Sequence, residues 1–129
     1  MTQIDLTHSA ANPTGITELD RVLGGGVVPG SVIRCRPVGV LRMQDEAGSD
    51  EKLIAVPIDK VFDGYSKIQD VTQVSQHWLD RIDHFFEHYK DLEDGKWVRI
   101  EGWLDADDAK KEIMNSIDRY NNAKDKPCF

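Results

Sequence analysis

Two runs of strand-forming residues joined by a short acidic connection limit most strongly what this chain can fold into. The first run, residues 31–43, is β-branched and partly alternating, and a bend is expected at Pro37–Gly39. Residues 52–57 form the second run, so the pattern predicts a β-hairpin over residues 42–57. The connection carries four carboxylates within seven residues, followed at once by Lys52; they are Asp45, Glu46, Asp50 and Glu51.

Two longer helices and a third strand are predicted after the hairpin. The helices cover about 76–90 and 106–121, with Ser75 and Asp105 as their N-caps, and they flank an alternating strand over 96–103. Inward-facing side chains are expected on all three elements. They are Trp78, Ile82, Phe85, Phe86 and Tyr89 on the first helix, Trp97 and Trp103 on the strand, and Ala109, Ile113, Ile117 and Tyr120 on the second helix.

The segment before the hairpin has a different pattern. A short helix is predicted over about 15–23, with Thr14 as its cap and Gly24–Gly26 as its stop. Together these elements indicate a single β-rich α+β domain, and 129 residues suffice to bury a core without metals or disulfides. Three strands are too few to close a barrel, so oligomerisation is the favoured means of covering the sheet edges.

Charge and composition exclude several classes of function. The net charge is −7, while residues 1–36 carry three acids and three bases that sum to zero. Such a balance argues against a nucleic-acid partner or an anionic membrane surface, and no apolar run approaches the ~20 residues of a membrane span. Without a signal-peptide pattern, and with Cys35 and Cys128 far apart, the sequence predicts a cytoplasmic protein with two unpaired thiols.

The acidic connection allows two interpretations. Carboxylate oxygens beside a lysine could hold Mg²⁺ and a phosphate, because Mg²⁺ binds a few carboxylates together with water and substrate phosphate. From these residues alone the simpler interpretation is a solvated hairpin, which is the usual role of an acidic loop.

Three blocks of sequence together resemble a known family. They are PGSVIRCRPVGVL at 29–41, DEAGSDEKLIAVP at 45–57 and HFFEHYKDLEDGKWVRIEGW at 84–103. From about residue 30 to 122 the chain resembles the C-terminal part of bacterial soluble family I inorganic pyrophosphatases. The resemblance implies a partial five-stranded, OB-like barrel flanked by two helices, and Mg²⁺-dependent hydrolysis of diphosphate to phosphate.

The resemblance also assigns roles to individual residues. By their positions in the family motif, Asp45 and Asp50 match metal-binding carboxylates, and Glu46 matches an accessory acid. The groups that match phosphate-holding side chains are Lys52, Tyr89 and Lys90.

Part of the family's site has no counterpart in these residues. The family holds its nucleophilic water with an Asp-rich D-x-D-P-x-D signature before the matching region, and this sequence does not contain it. We therefore expect a truncated member with weak or no activity, since removing residues that act as a unit abolishes most catalysis. The alternatives are a non-catalytic Mg²⁺- and phosphate-binding or oligomerising pseudoenzyme, and a by-product of rearrangement that merely folds.

The first thirty residues have a resemblance of their own. Residues 14–31, TGITELDRVLGGGVVPGS, resemble the stretch upstream of the P-loop in RadA/Sms-type DNA-repair ATPases. The phosphate-binding loop itself does not follow, so nucleotide hydrolysis is not expected. We predict an N-terminal segment of different origin over 1–30 and a truncated pyrophosphatase domain over 31–129, joined by natural rearrangement or by engineering.

Two histidines and an aspartate share one stripe of the first long helix. His84, His88 and Asp91 lie at i, i+4 and i+7. A zinc ion could bridge the two imidazoles. The resemblance favours instead a subunit interface with pH-sensitive contacts in a homo-oligomer, a trimer or a hexamer.

Overall fold

A computed structural model describes residues 11–126, apart from residues 16, 23 and 24 and the side chains of residues 18, 19 and 22. Its elements confirm the β-rich α+β fold, with helices packed against one antiparallel sheet. In chain order they are α1 (Thr17–Val22), β1 (Cys35–Asp45), β2 (Gly48–Ser49), β3 (Lys52–Pro57), α2 (Gln76–His88), β4 (Val98–Leu104) and α3 (Ala106–Asn122), with 3₁₀ turns at Asp63–Tyr65 and Val71–Gln73.

Strand β1 is the centre of the sheet and has partners on both sides. Its first half pairs with β3, its second half pairs with β4, and its last residues pair with the two-residue β2. The bend expected at Pro37–Gly39 is confirmed, because the register with β3 shifts there. The strand begins at Cys35 and not at residue 31, since Cys35 pairs with Pro57, the last residue of β3.

The core lies where β1 is covered by its neighbours. Val38, Val40, Leu41 and Met43 are at most 2% exposed, which shows that both faces of the strand are buried. Helix α3 packs against β1 and helix α2 packs against β4. A continuous apolar run is typical of a strand covered on both faces. Because β1 is packed on both faces, the position of its final residue, Asp45, is fixed relative to the core.

The predicted inner faces of the helices are only partly buried. On α2 the buried residue is Leu79, whereas Trp78 and Phe85 are more than half exposed. On α3 the buried residues belong to its first turns, and Ile117 and Tyr120 are exposed. The prediction is confirmed for Ala109, which is fully buried, and was wrong for the exposed residues. On α2 the reason is that the helix packs on β4 with part of its apolar face, while the rest borders an open groove beside β3.

The prediction that both strand tryptophans are core residues was wrong for Trp97. That residue lies before β4 and is 48% exposed. Trp103 is half-buried, and its Nε1 donates to Asp83 Oδ1 at 2.9 Å, which ties β4 to α2. The side chains of β4 do not alternate strictly between the two faces of the sheet. The reason is that the register between β4 and β1 shifts between Arg42 and Met43, next to Gly102, whose φ is +125°.

The N-terminal segment forms a loop that contains α1 and is closed by contacts between the residues before and after the helix. Asn12 and Val27 form a β-bridge through two backbone hydrogen bonds of 2.9 and 2.8 Å. The glycine stop is confirmed at Gly25, whose N–H donates to the Asp20 carbonyl at 2.7 Å with φ +114°. Gly24 and Cys128 lie outside the described residues, and Cys35 is a free, exposed thiol. None of the described helices is both long and apolar enough to cross a membrane.

The N-cap of α3 provides a direct test of this local structure. Asp105 accepts hydrogen bonds from the backbone N–H groups of Asp107 and Asp108 at 3.0 and 2.9 Å, as predicted for a cap. We expect Asp105→Ala to lower the free energy of unfolding by about 0.5–2 kcal/mol, since two backbone donors lose their acceptor. Urea unfolding followed by circular dichroism measures this loss. Asp125→Ala, an exposed aspartate beyond the helix, is the control, and equal effects of both variants would contradict the cap.

Candidate active site

A four-residue charge cluster joins the hairpin to the end of α2. Lys90 Nζ lies 2.6 Å from Asp45 Oδ2 and 3.5 Å from Glu46, and Lys96 Nζ lies 2.6 Å from Glu46 Oε1. The side chains of Lys90 and Asp45 are only 14% and 10% exposed. Two acids and two bases therefore alternate in one partly buried network.

The fold brings these residues together from three elements. Asp45 ends β1 and pairs with Val98 at the start of β4, which places Lys96, two residues earlier, beside Glu46. Lys90 follows the C-cap of α2, so its ammonium lies at the end of that helix. The hairpin, α2 and β4 thus converge at one end of the sheet.

The ion pairs fix the charge state of the cluster. The hydrogen bond from Lys90, helped by the backbone N–H of Ala47, holds the pKa of Asp45 below its usual range. Lys96 likewise lowers the pKa of Glu46, and the same contacts raise the pKa of Lys90 and of Lys96. All four groups are therefore charged at neutral pH, as a site for anionic phosphate and a cation requires.

A separate ion pair, outside the four-residue cluster, lies along the hairpin. Lys52 Nζ lies 2.6 Å from Asp50 Oδ1, and the Asp50 N–H donates to the Met43 carbonyl at 2.9 Å. Lys52 Nζ also sits 5.6 Å from the centre of the Phe86 ring. The ring of Phe86 meets Tyr89 edge-on at 5.6 Å, and Lys90 Nζ lies 5.6 Å from the Tyr89 ring.

The six residues singled out from the sequence therefore lie in one connected region. Asp45, Glu46 and Lys90 are in direct contact, and Asp50 with Lys52 is linked to them through two aromatic rings. Sequence reasoning missed Lys96 and the bridging role of Phe86. The position of Lys96 just before a strand antiparallel to β1 was the available signal, because that strand begins opposite Asp45.

The donor set fits Mg²⁺ in part. The oxygens of Asp45, Glu46 and Asp50 are hard ligands, and each carboxylate oxygen keeps a lone pair beside its lysine or backbone donor. Among the described residues, no group of three His, Cys, Asp or Glu side chains forms a ready metal site. The arrangement thus fits an ion held by one or two carboxylates, with water and phosphate as its other ligands, and not a closed protein cage.

The two histidines of α2 and Asp91, which follows the end of the helix, contact one another. The rings of His84 and His88 are 4.6 Å apart, and His88 Nδ1 lies 2.9 Å from Asp91 Oδ2. The His88 side chain is half exposed. These contacts place the three residues on one exposed face, and the interface itself stays a prediction.

Comparison with known proteins identifies the family. A family model for inorganic pyrophosphatase matches residues 18–121, which is most of the chain, so the chain belongs to the inorganic pyrophosphatase family.

Alignments with individual relatives show what share of their length this chain matches. It is 66% identical over 96 residues to an inorganic pyrophosphatase of Xanthomonas campestris and 58% identical over 94 residues to one of Escherichia coli K12. The first alignment covers 74% of this chain and 54% of the relative, and the second covers 73% and 53%. The chain therefore spans about half the length of the curated relatives it matches.

Solved structures agree with this fold. An inorganic pyrophosphatase from Helicobacter pylori superimposes with a TM-score of 0.69 at 49% identity, over 72% of this chain and 55% of that one. The enzyme from Thermus thermophilus gives 0.68 at 41% identity, over 74% and 55%. The sheet and its two long helices thus have the pyrophosphatase-type, OB-like architecture of a partial barrel.

Proposed function

We propose that these residues form the phosphate-holding half of an inorganic pyrophosphatase site, and that alone they hydrolyse diphosphate weakly or not at all. The observation that carries the proposal is the Lys90–Asp45 pair, because it joins the end of α2 to the acidic hairpin at a partly buried position. Family membership and the 66% identity to a pyrophosphatase support diphosphate as the substrate class.

The side chains divide into two groups by charge. Lys52 and Lys90 would donate hydrogen bonds to phosphate oxygens, with the Tyr89 hydroxyl beside them, and together they would neutralise part of the negative charge of diphosphate. Asp45 and Asp50 would hold Mg²⁺, which supplies charge neutralisation at the phosphate. Glu46 would keep Lys90 and Lys96 in place, since both lysines contact it.

The expected weakness of hydrolysis follows from the donor count. In this family the Asp-rich signature holds the metal ions that activate the attacking water, and that signature is not in these residues. Phosphate and cation binding depend on fewer groups, so they should persist when turnover does not.

The activity of the purified chain tests this proposal. With Mg²⁺ and diphosphate, we expect phosphate release far below the ~1–10³ s⁻¹ of ordinary enzymes. Asp45→Asn is the control for contaminating host enzyme, because trace activity that survives this change does not come from the chain. Turnover within the ordinary range that is lost in Asp45→Asn would contradict the proposal.

A non-catalytic role is the second candidate, and one observation favours it. The three acids of the candidate site, Asp45, Glu46 and Asp50, each form an ion pair with a lysine, so a metal ion would have to compete with that lysine for the carboxylate. Such a chain could bind phosphate with Mg²⁺, or assemble as a trimer or hexamer through the His84, His88 and Asp91 stripe, without turnover. A monomer in light scattering between pH 6 and 8 would exclude the second possibility.

We also propose that residues 1–30 have a different origin from residues 31–129. The neutral charge of the front segment and its likeness to RadA/Sms-type ATPases over 14–31 support this division. The alignment with the relative from Xanthomonas campestris covers 74% of the chain, whereas the family model also includes residues 18–30. A pyrophosphatase gene encoding residues 14–31 in one continuous frame would contradict the proposal.

A further inference from the structure

The end of α2 places two imidazole rings on consecutive turns of the helix. His84 and His88 are four residues apart, which puts them on the same face of the helix. The centres of their rings are 4.6 Å apart, and the ring planes are tilted by 53°. Both residues are exposed to solvent, so the pair is open to a dissolved ion.

Asp91 determines which nitrogen of His88 carries a lone pair. His88 Nδ1 lies 2.9 Å from Asp91 Oδ2, and an ionised carboxylate can only accept a hydrogen bond. We therefore assign the proton to Nδ1, which leaves the lone pair of the neutral imidazole on Nε2. A carboxylate that accepts from the second ring nitrogen is the usual neighbour of a metal-binding histidine, because it fixes the tautomer and the orientation of the ring.

A second carboxylate lies beside the nitrogen that Asp91 leaves free. Glu87 Oε2 is 3.9 Å from His88 Nε2. In a tetrahedral zinc site with bonds of ~2.0–2.1 Å, neighbouring ligand atoms are about 3.3 Å apart, so these two atoms need to approach by only about half an ångström to share one ion. The side chain of Glu87 is 60% exposed, so little packing opposes this movement.

The site is open and not a closed structural site. In the part of the chain that the structure describes, His84 contacts the ring of His88 and its nitrogens make no hydrogen bond. No three His, Cys, Asp or Glu side chains already converge on one point among these described residues. A bound ion would therefore take two imidazoles and keep water at part of its coordination shell.

We propose that His84 and His88 bind a divalent transition-metal ion of the Zn²⁺ type, with Glu87 as a third ligand and Asp91 as the residue that positions His88. Imidazole nitrogen suits Zn²⁺, Ni²⁺ and Cu²⁺, whereas Mg²⁺ takes oxygen ligands. This site thus differs in its chemistry from the carboxylates of the hairpin, and it does not depend on the proposed function.

The bound ion would join two consecutive turns at the end of α2. Tyr89 is the C-cap of this helix and Lys90 follows it, so the ion would hold the turn that precedes two candidate phosphate ligands. Because the two imidazoles are brought together by the folded helix, the ion stabilises the folded chain. Zn²⁺ should therefore raise the midpoint of thermal unfolding.

Calorimetric titration of the metal-free, full 129-residue chain with Zn²⁺ tests the proposal, with excess Mg²⁺ present to occupy oxygen sites. We expect one Zn²⁺ per chain. Asp91→Ala should weaken its binding by about 10–100-fold, the usual effect of losing the group that orients a metal-binding histidine. His84→Asn and His88→Asn should each weaken it by about tenfold or more, since a lost ligand costs at least as much as its orienting partner. His77→Asn is the matched control, because His77 is another exposed histidine of α2.

Two further variants identify the ligands and the role of Asp91. Asp91→Asn should restore part of the affinity lost in Asp91→Ala, because its amide oxygen still accepts from His88 Nδ1. Cys35→Ser should leave the titration unchanged, which excludes the exposed thiol as a ligand. The thermal shift with Zn²⁺ should persist in His77→Asn and disappear in His88→Asn.

The outcomes decide between this site and the other sources of metal binding. A one-to-one site that both histidine variants weaken and His77→Asn retains supports the proposal. Equal affinities of the native chain and His88→Asn, or loss of binding in Cys35→Ser, would overturn it. One ion per two chains, with a dimer in light scattering, would overturn a site within one chain. A trimer or hexamer that forms without added metal and binds no Zn²⁺ at these histidines would favour the interface instead.

Discussion

Leu41→Ala is expected to lower the free energy of unfolding by about 2–5 kcal/mol, a large share of the ~5–15 kcal/mol that stabilises a typical domain. Leu41 is fully buried and pairs with Lys52 on β3 and with Trp103 on β4. Its truncation removes buried apolar side-chain atoms at the point where the three strands meet and leaves a cavity there. Urea unfolding monitored by tryptophan fluorescence measures the loss.

Leu53→Ala is the matched control for this substitution. Leu53 lies on the adjacent strand β3 but is 47% exposed, so its truncation removes less buried apolar surface and leaves no closed cavity. We expect its effect to be several times smaller. Equal losses in the two variants would show that Leu41 is not the packing centre of the sheet. Phosphate affinity should fall with stability in Leu41→Ala, because β1 positions Asp45.

The hairpin could be predicted from the sequence because its signal is local. Residues 35–57 contain alternating β-branched residues, a bend at Pro37–Gly39 and a short polar connection. Each of these features determines the backbone conformation of residues close to it in the sequence. The same locality explains why Asp105 was recognised as a helix cap. The contact between Lys90 and Asp45 spans 45 residues, so it came from resemblance to a family and not from spacing.

The exposed faces of the helices could not be predicted, for a physical reason. Periodicity identifies which side of α2 is apolar, but it does not show how much of that side another element covers. Trp78 and Phe85 share the apolar face with the buried Leu79, yet β4 reaches only part of it. Trp97 shows a related limit, because a shift of register in β4 changes the alternation that the prediction assumed.

Lys90→Met is expected to change the two binding properties of the site in opposite directions. Affinity for inorganic phosphate should fall about tenfold or more, since a charge-assisted hydrogen bond to the anion is lost. Affinity for Mg²⁺ alone should rise severalfold, because the substitution removes a positive charge beside Asp45 that repels the cation. A lysine that merely holds the hairpin in place would lower both affinities when it is removed. Calorimetry with each ion separately distinguishes the two cases.

The same substitution has a defined pH signature. Lys90 lowers the pKa of Asp45 from its ordinary value of 3.8, so the stability from this pair is present above that value and is lost as the pH falls through the lowered pKa. The raised pKa of Lys90 makes its contribution complete below 10.5 and lost only as the pH rises through the raised value. The stability difference between the native chain and Lys90→Met should therefore be constant at intermediate pH and shrink in strong acid.

Lys110→Met is the control, because Lys110 makes an exposed pair with Asp107 on α3, outside the site. A stability difference that persists unchanged below the lowered pKa of Asp45 would show that Lys90 stabilises the hairpin by packing and not by charge.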